Sequence, residues 1–428
     1  MPFIRLAAKW KFTSTVFLLW MFTPALALGL SQGEDQGSSR AALLEAQHQA
    51  APQTVLPQER SPVARALPRG EEVSRFVANL LRVWKGFHFS TGDFPAGAGF
   101  VYGVGYTYSP LGDSSAVEGF PNRMDLDVVA AYSTRRYALI GFDLRLRNFG
   151  GTPLHMALHG KASEFPQEEF FGFGRASREE DRTNYLHRSL EGGLDLWIEP
   201  LKRLRVGGGV SYLSPSIGSG RDDRFVSSED FFDETTLPGF QRQPDFWRFD
   251  GFMDFDYRDQ PWDPRAGGFY GGRLSSFRDR HLDTFHFRRF EGDLQQYFPL
   301  SRREGVIALR ANLVMTDFSV GEAVPFYYMP TLGGGEKLRG FRESRFRDLN
   351  SLLLTAEYRW KAWWVLDMAL FMDAGKVTFD HADLHFKDLE ASYGFGMRFH
   401  SSDALVLRVD LAFSREGFIP LFRFRHVF

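Results

Sequence analysis

Residues 331–346, TLGGGEKLRGFRESRF, crowd three adjacent glycines, one lysine and three arginines into one short stretch. Glycine-rich basic loops cradle phosphates when a Ser or Thr follows the lysine and a helix follows the loop. Here Leu338 follows Lys337 and no helical apolar repeat follows the glycines, which argues against nucleotide binding. Two histidine pairs have the spacing of a helical zinc site, His155 and His159 in HMALH and His381 and His385 in HADLH. On a strand four residues span roughly 13 Å, too far for one metal. The second pair falls in an expected loop, where a metal could bind, and no metal site is assigned to it. Asp250, Asp254 and Asp256 share one face of an alternating segment and would line a hydrated lumen. There is no Gly-x-Ser-x-Gly elbow, and with no cysteine the chain has no thiolate nucleophile or zinc thiolate. Serine–histidine triads are defined by geometry rather than spacing, so a membrane-embedded hydrolase remains an alternative. The expectation is a chain that is not an enzyme, with no cofactor and no catalytic residue.

The elements that must position these residues follow from composition. The net charge of −2 over 428 residues lacks the basic excess of a polyanion binder, so no nucleic-acid partner is expected. Aromatics make up 16% of the chain, with 44 Phe, yet past the N-terminus no run of eighteen apolar residues could form a spanning helix. Apolar surface spread over alternate residues is the signature of a membrane β-barrel. Residues 1–27 resemble a signal peptide: Arg5, Lys9 and Lys11, then STVFLLWMF, then the small residues of PALA ending at Ala27. Residues 28–70 are rich in Gln, Ala, Ser, Pro and Gly and read as a disordered linker. Residues 71–86, EEVSRFVANLLRVWKG, space Val73, Phe76, Val77, Leu80, Leu81 and Trp84 as one helical stripe. That amphipathic helix would pack on a partner or the barrel interior, or lie at a membrane interface.

Residues 87–428 are expected to form the barrel. In DALVLRVDLAFS, Leu405, Leu407, Val409, Leu411 and Phe413 share one face while Arg408 and Asp410 share the other. ASYGFGMRF sets Tyr393, Phe395, Met397 and Phe399 against Gly394, Gly396 and Arg398. LLLTAEYRW sets Leu352, Leu354, Ala356, Tyr358 and Trp360 against Thr355, Glu357 and Arg359. By the same alternation Asp373 points inward, because Leu366, Met368, Leu370 and Met372 take the lipid face. About fifteen such segments can be read, and even strand numbers predict a sixteen-stranded transmembrane antiparallel β-barrel. AGAGFVYGVGY is expected as the first strand, with KGFHFST as the strand the alternation does not resolve. Residues 165–187, 214–246 and 317–349 would be extracellular loops.

The motifs carry a family resemblance. LGGGEKLRGF followed by RF and an acidic residue resembles the inward-folded loop of the BamA/TamA family of outer-membrane assembly and translocation barrels (bacterial surface antigens), with Leu338, Arg339, Gly340 and Phe341 at its hallmark positions. AEYRW, FMDAGKV and YGFGMRF resemble the strands that follow in that family, and DYRDQPWDPRAGGFYGG and FFGFG resemble motifs upstream. PLFRFRHVF is similar to the family's barrel-closing signal, which would use Phe424 and Phe428. The resemblance implies that Glu357 and Asp373 hold the loop arginine; the alternative is a flexible extracellular loop with solvated charges. Established members carry POTRA domains before the barrel, and the stretch between Ala27 and the first strand is too short and too polar for one, so a barrel-only member is expected. The resemblance implies an outer-membrane protein that assists insertion or transport of proteins or lipids, in contact with outer-membrane lipid, client outer-membrane proteins and a separate periplasmic partner. The alternative is a passive pore or structural surface barrel.

Overall fold

The computed structural model describes residues 86–90, 94–95, 97–109, 123–149, 152–232, 237–300, 304–400 and 405–423. The expected signal peptide, linker, amphipathic helix (Gly86 apart) and closing residues Phe424 and Phe428 lie outside them.

The chain forms β1 (Phe87–Phe89), β2 (Val101–Tyr108), β3 (Arg123–Ser133), β4 (Ala138–Arg147), β5 (Leu154–Phe170) and β6 (Thr183–Leu201). It continues through β7 (Leu204–Ser219), β8 (Phe246–Asp256), β9 (Gly267–Asp279), β10 (Phe287–Leu300) and β11 (Gly305–Phe318). Two short strands, β12 (Thr331–Leu332) and β13 (Phe346–Arg347), pair with each other inside the next connection. β14 (Asn350–Trp363), β15 (Leu366–Thr378), β16 (Glu390–His400), β17 (Leu405–Ser414) and β18 (Gly417–Arg423) follow. All except β12 and β13 form one sixteen-stranded sheet in which every strand pairs antiparallel with its neighbour in sequence, β11 taking β14 as its next partner. Among the described residues no ladder pair joins β1 to β18.

The period-two pattern gives this sheet two chemically opposite faces. Leu370, Met372, Tyr393 and Phe422 are exposed on one face, while Glu357, Asp373, Arg398, Arg408 and Asp410 are buried on the other. A soluble sandwich would bury its apolar face; here the apolar face is outward, as a strand in lipid requires. No helix among the described residues is long and apolar enough to cross a membrane. The wall is that of a transmembrane β-barrel. Long connections, 171–182, 220–245 and 319–349, gather at one end, and tight ones such as 202–203 and 364–365 at the other. Long loops mark the extracellular end of such barrels and tight turns the periplasmic end.

Three expectations need correction. The first strand is Phe87–Phe89, within KGFHFST, paired to β2 over three residues. Gly97 and Gly99, assigned to the first strand, precede β2 with φ of +97° and +85°, turn conformations rather than strand. The loops expected at 165–187 and 214–246 are shorter, because β5 and β6 run for 17 and 19 residues and β7 reaches Ser219. About 9–11 residues cross a bilayer, so these strands continue as an extracellular rim. Above the membrane nothing selects for an apolar outer face, so EFPQEEF extends β5 without alternating.

Under that rim the loops pack on one another. Phe170 and Tyr185 of β5 and β6, Leu237 and Phe240 of the 220–245 loop, and Phe326 of the 319–349 loop form one buried cluster. The 319–349 loop then descends into the barrel, where Leu332, Leu338, Phe341 and Phe346 bury against Leu353 of β14 and Val377 of β15. This single loop touches strands far apart in the sheet order, which follows from a sheet curled around it.

Candidate functional site

Glu357 and Asp373 share the inner face of adjacent strands. Glu357 stands opposite Phe371 and Asp373 opposite Thr355, which makes the two carboxylates diagonal neighbours. Diagonal side chains lie about 7–8 Å apart at their Cβ atoms, a gap that one guanidinium spans. Arg339 fills it. Its Nε and Nη2 donate to the two oxygens of Asp373 at 2.7 and 2.8 Å, and its Nη1 donates to Glu357 at 2.8 Å. The backbone N–H of Arg339 donates to Asp373 as well, at 3.1 Å. The guanidinium carbon stands 3.5 Å from the centre of the Phe371 ring, adding a cation–π contact on its open face. All three charged side chains are fully buried. A bidentate fork on one carboxylate and a single bond to a second use Arg in the way its planar geometry allows and Lys does not.

Gly340 makes this placement possible. Its φ is +91°, and a Cβ there would meet Ser392 Cβ at 3.0 Å and the Phe413 carbonyl at 3.1 Å. The loop backbone thus lies directly on β16 and β17, and Ser414 Oγ donates to the Gly340 carbonyl at 2.6 Å. Phe341 anchors in the apolar cluster at 1% exposure beside Phe346, with ring centroids 5.1 Å apart, and Leu338 is buried in the same cluster.

The structure therefore brings together Leu338, Arg339, Gly340, Phe341, Glu357 and Asp373. It also adds residues that the sequence reading placed inward but did not assign to the loop. Arg359 Nε and Arg398 Nη2 both donate to Glu357 Oε1, at 2.9 and 3.0 Å. Arg398 Nη1 donates to Asp410 at 2.5 Å, Arg408 Nε lies 3.1 Å from Asp410, and Arg408 Nη2 donates to the Gly335 carbonyl. Gly396 leaves room for that layer, since a Cβ there would fall 2.1 Å from Asp410 Oδ1. Four arginines and three carboxylates form one buried network across β14–β17 and the loop. Higher in the barrel, Arg345 bonds Glu416 at 2.9 Å and Ser177 at 2.8 and 2.9 Å, and Arg342 bonds Glu179 at 2.7 Å. The signal for these partners was the alternation itself, which turned every charge on β14, β16 and β17 to one side.

The other candidates resolve separately. His155 stacks on Trp197 with ring centroids 5.4 Å apart, and His159 lies 3.7 Å from Asp195. His381 approaches the Thr316 carbonyl at 3.2 Å, and His385 approaches Lys376 at 3.3 Å. Among the described residues no group of His, Cys, Asp and Glu has metal-binding geometry. Asp250 is engaged by Arg248 at 2.9 Å and Ser275 at 2.5 Å, and Asp254 and Asp256 by Arg205 and Arg258, so the three aspartates belong to ion pairs of the inner wall.

The Omp85 superfamily domain matches residues 124–418. The chain belongs to the Omp85 superfamily. Among solved structures this Omp85 barrel is similar to BamA from Haemophilus ducreyi lacking POTRA domains 1–3, with a TM-score of 0.55 and 14% identity over 84% of this chain and 78% of that one. It is also similar to CdiB from Escherichia coli, with a TM-score of 0.50 and 12% identity over 79% of this chain and 60% of that one. At such identities the likeness is one of fold. By sequence no curated protein matches the chain. Superfamily and fold together assign the protein to the bacterial outer membrane.

Proposed function

We propose that this protein assists the insertion or translocation of proteins or lipids at the outer membrane, in the manner of BamA/TamA barrels and without covalent chemistry. The observation that carries the reading is Arg339, held at zero exposure between carboxylates of two adjacent strands. Burying an arginine inside a barrel carries a desolvation cost of several kcal/mol that only full pairing offsets, and a passive conduit has no need of it. The seam supports the same reading. Among the described residues no ladder pair joins β1 to β18, and β18 carries Pro420, which has no N–H to donate. A seam that pairs weakly offers a client strand a free edge, the geometry of strand addition. Client outer-membrane proteins and a separate periplasmic partner are the partners this implies, reached after export by the N-terminal signal.

The chain contains no cysteine, so paired cysteines placed across β1 and β18 give a clean lock. Locking is expected to deplete client proteins from the outer-membrane inventory while the barrel stays folded, and reduction is expected to restore them. A locked barrel that sustains the same inventory would replace this reading with a passive or structural barrel.

A further inference from the structure

On the outer face of β1–β6, at the end bearing the long loops, the wall is concave. Two outward rows run across the strands. The upper passes Tyr102, Tyr132, Ala138, Glu164 and Arg188, and the lower passes Val104, Ala130, Ile140, Ala162 and Leu190. Ala130, Ala138 and Ala162 are too small to fill their share of this surface, whereas Tyr102, Tyr132 and Ile140 stand out from it. The result is an open, largely apolar groove of about 800 Å³. One end of the groove is charged. Arg188 and Arg221 both bond Glu164, each at 2.8 Å, and all three side chains remain a third to a half exposed. The Arg221 backbone N–H donates to the Pro166 carbonyl at 3.0 Å, which ties the start of the 220–245 loop to β5 and keeps this arginine beside Glu164 at the groove's end.

Two guanidinium groups share one carboxylate, leaving one positive charge in excess where the lipid-facing wall meets the extracellular rim. A cation at such a position is costly unless it reaches the headgroup layer and meets an anion there. Alternating apolar-out strands put the groove in the membrane, and the long loops put it in the outer leaflet. We propose that the groove binds a phosphorylated outer-leaflet glycolipid of the lipid A type, an acyl chain lying over Ala130, Ala138 and Ala162 and a phosphate bridging Arg188 and Arg221. Bidentate guanidinium–phosphate bonds provide the polar recognition. Glu164 competes with the phosphate for the two arginines. This inference needs only the outer-membrane barrel and stands apart from the assembly reading.

The test uses the purified full chain in non-ionic detergent, titrated with lipid A, with dephosphorylated lipid A and with phosphatidylglycerol, and bound lipid is counted by native mass spectrometry. Unchanged heat-modifiable gel mobility establishes that each variant is folded. Lipid A is expected to bind in preference to the other two. The Arg188→Ala/Arg221→Ala double variant should bind it at least about tenfold more weakly, through loss of two charge-assisted contacts. Ala162→Trp, which fills the groove without touching the arginines, should lose binding too, and Glu164→Gln should strengthen it. Equal binding by wild type and the double variant, equal binding of dephosphorylated lipid, or weaker binding by Glu164→Gln would each overturn the site. Phosphatidylglycerol binding as well as lipid A would overturn the assignment to a glycolipid.

Discussion

The wall built from β14–β17 and the wall built from β1–β4 use the same alternating strands but are held by different forces. On the first, Arg339, Arg398, Arg408, Glu357, Asp373 and Asp410 are all at or near zero exposure and each touches at least one opposite charge. On the second, the ion pairs among the described residues are Arg145–Asp143 at 2.6 Å and Arg147–Asp125 at 3.8 Å, with the arginines about half exposed. Toward the end bearing the long loops, its inner face also carries an apolar cluster of Ala131 and Leu139 with Phe94 and Ala98 of the β1–β2 connection and Tyr137 of the β3–β4 turn. Exposed pairs are screened and contribute about 0–1 kcal/mol, whereas removing one partner of a buried pair costs about 3–5 kcal/mol. Apolar contacts tolerate sliding; a bidentate arginine between two fixed carboxylates does not. The buried ionic network therefore fixes where the loop sits, and the wall beside the seam carries no comparable restraint.

Arg339→Ala is the hardest blow to that contrast. Every hydrogen bond to Asp373 described above comes from Arg339, whereas Glu357 keeps Arg359 and Arg398. The variant leaves Asp373 as an unpaired buried carboxylate, at an expected cost of about 3–5 kcal/mol. Protease cleavage within residues 331–346 in intact cells should rise sharply. Arg339→Lys should recover only part of the protection, lacking the fork, and adding Asp373→Asn to Arg339→Ala should recover part of it by removing the stranded charge. Cleavage at wild-type levels in all three variants would show that the ionic network does not hold the loop.

Gly340→Ala attacks the same loop without touching a charge. A φ of +91° disfavours any side chain, and the added methyl would press on Ser392 and the Phe413 carbonyl. The expected loss is about 1–3 kcal/mol, and loop cleavage should fall between wild type and Arg339→Ala. On the other wall, Arg145→Ala should shift unfolding by less than about 1 kcal/mol. A loss there as large as that of Gly340→Ala, measured by heat-modifiability midpoints, would erase the distinction between the two walls.

Most of the charged wall could be read from the sequence because period two is a strict rule in lipid. Once Leu370 and Met372 face out, Asp373 must face in, and the same logic turned Arg398, Arg408 and Asp410 inward. What alternation cannot give is contact across the barrel. That Arg398 meets Glu357 over β15, or that Arg345 reaches Ser177 and Glu416, depends on curvature and on the path of the loop. The rim was hidden for a different reason: past the membrane β5 and β6 are set by ladder hydrogen bonds, which carry no side-chain period. β1 was hard to read because three residues are too few to show one.

The smallest effect concerns charge at the top of the loop. Asp348 is 7% exposed, and its Oδ1 accepts from the Leu349 backbone N–H at 2.9 Å. Burial raises its pKa above the ordinary carboxylate value, and the Leu349 N–H opposes that only in part. With the folded pKa above the unfolded one, the unfolded chain holds fewer protons between the two values. Stability is then reduced above the folded pKa and recovers as pH falls through it toward the unfolded value. Asp348→Asn keeps the acceptor and removes the charge. It should be slightly more stable than wild type near pH 7, by less than about 1 kcal/mol, with the advantage fading as the pH falls to about 4. Loop cleavage by an acid-tolerant protease across that range provides the measurement. An Asn variant that is less stable at pH 7 and equal at low pH would mean that the carboxylate is stabilised by its surroundings, and the top of the loop would then count with the ionic network rather than with the apolar cluster under the rim.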